Sequence, residues 1–543
     1  MRKRSLLLVA VAAALVASLV VGPAATAKPQ ATSAGTVVFG ADQEPGTLNW
    51  MTDSMYWMSI ITNKIIAAGS IYNGKAQLIP YLLDGKPKVL KTSPFTTQHT
   101  YKANAAWSDG KPVTGADFVT RFRAQMNPAN NVVTREGWDQ MKSVKAKGKT
   151  VTIVWKAPYA AWEEYNGGAP LPTHVFAGQD FNKMWLNDIG PASGPFKFVS
   201  WVKGQQLTIA KNTAYKSGTP AKLDRIVFRF IPNTATQFQA LRSGEVQMTE
   251  PQFQLQIRDF LNDPKITVQS GGGYFYEHID FQFGPKGHAA LKQPYVRKAI
   301  AMGINRAQIS QAIYGAVLPK ALPVLNSVHF MPFEAPYKPA FSKWSFGQQK
   351  VINTLKAAGC TGGPDKPAAR NTDIFSCPNV GKLSFRFATT AGNQRRALTF
   401  EIIQAQLKSV GIELRANFGP ASVIFGPVLT GRDYDLIMFT WLSGPTHSFS
   451  AGDLYGCGGG QNDLVYCNRK YTKLMDQAKR TTDTAKRNAL VLQAEAIMAN
   501  DVPTVPLYSQ PRFQLFYKTI KGPSNNPTQE GVTWNAENWS IAQ

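Results

Sequence analysis

Two parts of the chain carry the hydrophobic alternation of a buried β-strand followed by the spacing of a helix. In LDRIVFRFI, Leu223 to Ile231, the alternating apolar residues Ile226, Phe228 and Phe230 predict one buried face of a strand. The segment TQFQALRSG then predicts a helix, and EVQM directly after it predicts another strand. We interpret this stretch as one strand–helix–strand unit.

The same pattern returns nearer the C-terminus. KLSFRFAT predicts a strand whose buried face carries Leu383, Phe385 and Phe387. Apolar residues then follow at helical spacing, at Phe400, Ile403, Leu407 and Val410. Gly411 predicts the end of this helix, and IELRANF and DLIMFTW (Asp435 to Trp441) predict two further strands. We therefore expect two separate α/β sheets, each with parallel strands joined by a crossover helix.

The region from residue 76 to 189 differs, because it combines short strands, Gly and Pro turns and one helix. Its clearest stretch is WSDGKPVTGADFVTRF, Trp107 to Phe122, in which Asp109 and Gly110 predict a turn. Thr114, followed three residues later by Asp117, predicts a helix N-cap. We interpret this region as an inserted subdomain.

Two Gly- and Pro-rich segments fall between the sheet-forming regions. They are GPASGPF (Gly190 to Phe196) and SGGGYF (Ser270 to Phe275), and both are candidate hinges. Two lobes joined by such segments predict a ligand-binding cleft between them.

The N-terminus reads as a secretory signal peptide, residues 1–27. Three basic residues precede the apolar run Leu6 to Val21, and Ala25-Thr26-Ala27 supplies a cleavage site. The run is shorter than the roughly 20 residues that span a bilayer, although retention as a membrane anchor is the alternative. No cysteine lies near the predicted cleavage site to accept a lipid. Because of the signal peptide, we expect an exported protein, located in the periplasm, in the cell envelope or outside the cell.

The 543-residue chain is long enough for two or more hydrophobic cores. Its four cysteines form two close pairs, Cys360 with Cys377 and Cys457 with Cys467. In an exported protein an even number at short spacing predicts two disulfides. A zinc site is the alternative, but the pairs lack two-residue ligand spacing and a neighbouring histidine cluster.

The formal net charge is +25, which is compatible with a nucleic acid or an anionic surface as partner. However, Lys and Arg are scattered along the chain and no nucleic-acid-binding motif is present. We interpret the charge as a solvated basic surface and expect no nucleic-acid partner.

No catalytic constellation is evident. The chain lacks a nucleophile elbow, a zinc-protease motif, a phosphate loop and a dinucleotide fingerprint. The adjacent Glu163 and Glu164 are poorly placed for paired acid–base work, because neighbouring side chains point in different directions. The histidines are dispersed, at His99, His174, His278, His288, His329 and His447. We expect no metal, no cofactor and no enzymatic activity.

Seven blocks, taken in order, resemble one family. WSDGKPVTGADF is similar to a block of the large extracytoplasmic solute-binding proteins, the oligopeptide- and dipeptide-binding proteins of ABC importers, with Gly115 where alanine is usual. The other six matching blocks are EPGTLNW, LPTHVF, SGPFKFVSW, KNTAY, LRSGEVQM and YVRKAIAMGINRAQI.

The resemblance implies an α/β fold of the bilobed, periplasmic-binding-protein-like clamp type (type II, large three-domain cluster) with an extra subdomain in the first half. The implied division places lobe I at 36–75, 190–285 and 505–543, the inserted subdomain at 76–189 and lobe II at 286–504. The implied function is capture of a peptide in the cleft and delivery to the permease and ATPase subunits of an ABC transporter. We expect a monomer. The alternatives are a non-peptide solute such as an oligosaccharide or small metabolite, an exported hydrolase, and a polyanion-binding protein.

The resemblance also implies ligand-binding positions. Glu44 and Trp441 match cleft residues of peptide-binding members, but the position of the acid that pairs with the peptide amino group falls on Gly444. Asp453 is the candidate replacement, and Leu442 and Ser443 could offer backbone contacts. The candidate aromatic linings are Trp138, Tyr274, Phe275 and Tyr276.

Overall fold

The computed structural model describes residues 35–53, 55–318, 322–420, 423–442, 444–446 and 451–542, so the predicted signal peptide lies outside the described residues. The strands are β1 Thr36–Ala41, β2 Ser70–Tyr72, β3 Leu78–Pro80, β4 Lys88–Thr92, β5 Phe95–Thr100, β6 Met141–Lys147, β7 Thr150–Trp155, β8 Phe196–Val202, β9 Gln206–Lys211, β10 Arg225–Phe230, β11 Met248–Thr249, β12 Ile266–Gly271, β13 Phe275–Phe281, β14 Ser376–Cys377, β15 Gly381–Lys382, β16 Ser384–Thr390, β17 Glu413–Gly419, β18 Leu436–Leu442, β19 Thr504–Ser509, β20 Arg512–Tyr517, β21 Ile520–Lys521 and β22 Ser540–Ile541.

The α-helices are α1 Tyr56–Thr62, α2 Gly115–Met126, α3 Trp162–Asn166, α4 Thr173–Phe176, α5 Thr234–Ser243, α6 Pro294–Gly303, α7 Arg306–Tyr314, α8 Gln348–Ala357, α9 Gln394–Lys408, α10 Gly452–Tyr455, α11 Arg469–Lys479 and α12 Thr484–Asp501. Short 3₁₀ segments cover Trp138–Gln140, Phe181–Lys183, Leu255–Phe260, Ala289–Lys292, Ala340–Trp344 and Ala536–Asn538, and one π turn covers Ile424–Val428. Within the described ranges, no helix has both the length and the apolar content needed to cross a membrane.

The first large sheet has seven strands in the order β12-β20-β11-β1-β10-β9-β8, and we call this part lobe I. β1 pairs in parallel with both β10 and β11, and α5 connects β10 to β11. Ile226 and Phe228 are fully buried on one face of β10, which confirms the predicted alternation. α5 ends at Gly244, whose φ of +80° is the left-handed cap that glycine adopts without strain.

The second large sheet has five strands in the order β17-β16-β18-β13-β19, and we call this part lobe II. β16 pairs in parallel with β17 and β18, and α9 forms the crossover from β16 to β17. Phe387 of β16 packs against Phe400 of α9 with ring centroids 5.2 Å apart. The predicted strand–helix–strand unit is thus confirmed, and the fold is the expected bilobed α/β fold.

Two strands pair differently from the division drawn on the sequence. That division places residues 275–285 and 505–509 in lobe I, but β13 and β19 belong to the five-stranded sheet of lobe II. An alternating apolar strand fits either sheet equally well, and only long-range pairing assigns it. Two connections therefore join the sheets, one between β12 and β13 and one between β19 and β20. The predicted hinge Ser270 to Phe275 spans the first of them.

Residues 88–155 contain a four-stranded antiparallel sheet in the order β4-β5-β7-β6, with α2 packed on it. Asp117 caps α2 by accepting from the Thr114 backbone N–H at 2.8 Å, and it also accepts from the Thr173 backbone N–H at 2.9 Å. Gly115 is required here, because a Cβ at this position would come within 2.7 Å of the Ala146 Cβ. The departure from the usual alanine therefore reflects close packing of α2 on the sheet.

Both predicted disulfides are present. Cys360 bonds to Cys377, and Cys457 bonds to Cys467. They close short loops in lobe II, at sequence separations of 17 and 10 residues.

Candidate functional site

In lobe I, the carboxyl ends of the parallel strands converge on one edge of the sheet. Asp42 follows β1, Asn233 follows β10, and Glu250 follows β11. Asn233 also caps α5, since its side chain accepts from the Thr236 backbone N–H at 3.0 Å. In open α/β sheets this edge is where ligands bind.

Lobe II is built in the same way. β16 ends at Thr390, and Asn393 caps α9 by accepting from the Arg396 backbone N–H at 3.1 Å. Thr440 lies near the end of β18, and Phe425 lies in the π turn that follows β17.

The two edges face a common cavity of about 900 Å³, which we call the inter-lobe cleft. Both lobes contribute lining residues, and so do the connections between the sheets through Phe275, Gln510, Pro511 and Arg512. This volume lies within the roughly 300–1,000 Å³ typical of sites that enclose a small ligand. The charged residues that line the described cavity are Asp42, Glu250, Arg395, Arg396 and Arg512.

On the lobe II wall, two arginines share one buried carboxylate. Arg395 Nη1 lies 2.6 Å from Glu277 Oε2, and Arg396 Nε lies 2.8 Å from Glu277 Oε1. Thr440 and Gln510 donate further hydrogen bonds to the same carboxylate. Burial alone would raise the pKa of Glu277, but the charges of Arg395 and Arg396 outweigh it and lower the pKa to about 2. The group is therefore a carboxylate at neutral pH, and the three side chains together carry one net positive charge.

On the lobe I wall, Arg512 pairs with Glu250, its Nε lying 2.7 Å from Glu250 Oε1. Tyr56 donates to the other oxygen of Glu250 at 2.7 Å. Burial lowers the pKa of Arg512 to about 9, so the guanidinium is still charged at pH 7, while burial and the nearby Asp42 raise the pKa of Glu250. The short contact with the Arg512 guanidinium favours the carboxylate form of Glu250, and as an ion pair the two side chains are neutral overall.

Asp42 is held differently, by neutral groups. The indole Nε1 of Trp57 donates to Oδ1, and Gln252 Nε2 donates to Oδ2 at 3.0 Å. Asp42 forms no ion pair with any residue in the described part of the chain. The lobe I wall therefore carries one net negative charge.

Two predicted site residues have structural partners outside the cleft. Glu44 accepts hydrogen bonds from Trp201 Nε1 at 2.8 Å and from the Gly204 backbone, and so holds the turn between β8 and β9. Trp138 is 6% exposed and packs against Phe118 of α2. Neither residue lines the inter-lobe cleft, and ligand contact by either stays a prediction.

The β13–β18 register separates the predicted aromatic linings onto two faces. Tyr276 pairs with Trp441, whereas Glu277 pairs with Thr440 on the opposite face. Phe275 and Thr440 line the cleft, while Tyr276 is fully buried and Trp441 packs on Phe439 with ring centroids 4.9 Å apart. Sequence alternation shows which residues share a face, but not which face meets the cavity.

The other predicted positions lie near the end of β18 or in the core. Tyr274 is 3% exposed and packs edge-on against Phe333. Leu442 is the last residue of β18 and pairs with Phe275, and Ser443 lies outside the described residues. Gly444 has open space where a Cβ would stand, and Asp453 in α10 accepts from the Gly460 backbone N–H at 2.8 Å. A role for any of them in ligand binding remains a prediction.

The charged residues of the cleft were missed by sequence reasoning, although a signal for them existed. Asp42 and Glu250 directly follow β1 and β11, and Arg395 and Arg396 lie in the first turn of α9. Ligand-binding residues concentrate at such positions in α/β sheets. Among the described residues, no cluster of three or more His, Cys, Asp or Glu side chains could hold a metal ion.

Two solved structures share this architecture. The periplasmic EDTA-binding protein EppA superposes with a TM-score of 0.84 at 20% identity, covering 94% of this chain and 97% of its own. The oligopeptide-binding protein AppA of Bacillus subtilis, solved with a nonapeptide, superposes with a TM-score of 0.76 at 22% identity, covering 95% and 100% of the two chains. These likenesses establish the fold.

Sequence comparison gives the family. A protein of Brucella melitensis provisionally named an ABC transporter peptide-binding protein is 26% identical over 98% of this chain and 98% of its own. The profile of the bacterial extracellular solute-binding proteins, family 5 middle, matches residues 96–463, which is more than half of the chain. The chain therefore belongs to the family 5 bacterial extracellular solute-binding proteins.

Proposed function

We propose that this protein is the substrate-binding receptor of an ABC importer and that its cargo is a peptide. The observation that carries the proposal is the inter-lobe cleft, in which the carboxyl ends of the parallel strands of two mixed sheets face one cavity. Family membership makes the chain a solute-binding protein rather than an enzyme. The names of its relatives support peptide as the cargo and an ABC transporter as the partner.

The architecture supports capture by closure. Each lobe contributes polar and charged groups to the inter-lobe cleft, and two short connections join the lobes. A ligand that contacts both walls binds the closed arrangement more tightly than the open one, so binding shifts the population towards closure. The closed receptor would then present its cargo to the permease and ATPase subunits.

The proposal includes export. The predicted signal peptide, residues 1–27, would direct the chain across the membrane, and membership of an extracellular family supports this location. The absence of a cysteine near the predicted cut argues against lipid attachment there.

The test is native mass spectrometry of gently purified mature protein. The expected result is a series of adducts that differ by amino-acid masses and that disappear on mild denaturation. A single adduct with the mass of a sugar, a chelator or another small metabolite would contradict the peptide cargo while keeping the receptor function. Turnover of a chromogenic hydrolase substrate would contradict the receptor function itself.

A further inference from the structure

The inter-lobe cleft has walls of opposite net charge. On the lobe II wall, Glu277 balances only one of Arg395 and Arg396, which leaves one positive charge. On the lobe I wall, Arg512 balances Glu250, and Asp42 keeps one negative charge because its described partners are the neutral Trp57 and Gln252.

The charges of the lobe II wall are weakly screened. Arg395 and Arg396 have side-chain exposures of 11% and 9%, and Glu277 is fully buried. A charge in a partly desolvated site interacts more strongly with a ligand than the same charge on an open surface. The N-terminus of α9, immediately before Arg395, adds positive potential to the lobe II wall.

We infer that the inter-lobe cleft selects a zwitterionic ligand, a peptide with both ends free, and binds it with its ammonium group on Asp42 and its carboxylate on the Arg395 side. A ligand of this kind compensates both walls at once, whereas a peptide blocked at one end leaves one wall charge uncompensated. The inference rests on the proposed peptide cargo and specifies its chemical class and orientation.

This orientation also accounts for Gly444. The family pattern places an acid for the peptide amino group at this position of lobe II, where this chain has no side chain. The uncompensated carboxylate that lines the described cavity lies instead on lobe I, at Asp42. The peptide would therefore run in the opposite direction from the one that the family pattern implies.

The experiment is a thermodynamic cycle by isothermal titration calorimetry. The probes are tri-, tetra- and pentaalanine, each with free ends, with an acetylated amino terminus, or with an amidated carboxyl terminus. In the wild-type protein each block should weaken binding by about tenfold or more, the size of a charge-assisted hydrogen bond. In Asp42→Asn the acetylation penalty should disappear while the amidation penalty remains. In Arg395→Gln the amidation penalty should disappear while the acetylation penalty remains.

Matched controls separate charge recognition from general damage. Glu245→Gln and Arg415→Gln remove exposed charges of lobes I and II that do not line the cleft, and both should keep both penalties. Arg395→Lys keeps the positive charge and should keep the amidation penalty. If Arg395→Gln fails to fold by circular dichroism, the Asp42→Asn arm decides the orientation.

An acetylation penalty that persists undiminished in Asp42→Asn would overturn the inference while leaving the peptide cargo intact. Wild-type protein that binds blocked and free peptides equally would overturn the selection of a zwitterion. Wild-type protein that binds none of the peptides would contradict the proposed cargo itself, and with it the inference.

Discussion

Glu277 holds the lobe II wall of the cleft together, because two arginines and two neutral donors meet on one buried carboxylate. Three of these groups, Arg395, Thr440 and Gln510, donate hydrogen bonds to the same oxygen, Oε2. Removing one partner of such a buried group is costly, since it leaves the remaining charges desolvated and uncompensated. The residue therefore serves both the stability of lobe II and the position of Arg395.

We expect Glu277→Gln to lower the free energy of unfolding by about 3 kcal/mol or more at pH 7. Unfolding in guanidinium chloride measures this loss of stability. Glu245→Gln, which breaks the exposed ion pair with Arg229, is the control and should cost less than about 1 kcal/mol.

The difference in the free energy of unfolding between the wild-type protein and Glu277→Gln should disappear in acid. The pKa of Glu277 is lowered to about 2 in the folded protein, against about 4.3 in the unfolded chain. The stabilisation is therefore fully present above about pH 4.3 and is lost as the pH falls through about 2. A cost of Glu277→Gln that stays the same down to pH 2 would show that the carboxylate charge is not its source.

Among the elements, α2 shows how a short motif fixes local structure. Its cap was predictable because Thr114 and Asp117 stand three residues apart. The second role of Asp117, as acceptor for the Thr173 backbone N–H, was not predictable, because it joins segments 56 residues apart in the sequence.

We expect Asp117→Asn to destabilise the protein by about 1–3 kcal/mol, because one amide oxygen replaces two acceptor oxygens in a buried site. Thermal and chemical unfolding measure the loss. Peptide affinity should be unchanged, since Asp117 does not line the inter-lobe cleft. Asp109→Asn, an exposed position in the same motif, is the control and should cost less than about 1 kcal/mol. Equal losses in the two variants would argue against the capping role.

How far the sequence predicts each element depends on the range of its contacts. The units β10–α5–β11 and β16–α9–β17 were predictable, since alternation, helical spacing and a terminal glycine are local signals. The sheet membership of β13 and β19 was not, because it depends on pairing between residues more than 100 positions apart. The same limit applies to the site: Trp441 and Thr440 are adjacent, and only the register of β18 decides which of them faces the cleft.

For the whole molecule, buried carboxyl groups link stability to pH. Burial raises the pKa of Glu334, Glu495 and Glu530 to about 7. Hydrogen bonds from Ser327 and the Val328 backbone to Glu495 act in the opposite direction but do not offset its burial. The stabilisation that each of these carboxyl groups gives the folded protein is fully present below the unfolded pKa of about 4.3, and it is lost as the pH rises through about 7.

Glu495→Gln tests this linkage. At pH 5 the wild-type carboxyl is protonated and glutamine is a close substitute, so the two proteins should unfold at similar denaturant concentrations. At pH 8.5 the wild type must hold a buried charge, and the variant should gain in relative stability by up to about 3 kcal/mol. If the difference in the free energy of unfolding between the wild type and Glu495→Gln is the same at pH 5 and pH 8.5, burial of Glu495 does not set the pH dependence.

The connections between the sheets have a consequence for the order of events in capture. Phe275, Gln510, Pro511 and Arg512 lie at these connections and also line the cleft. If the lobes rotate about these connections on closure, these four residues lie close to the rotation axis and move little. Residues farther from the axis move through larger distances. An arriving ligand would therefore meet these four residues close to their final geometry. We expect substitutions among them to change the rate of ligand association more than the rate of dissociation.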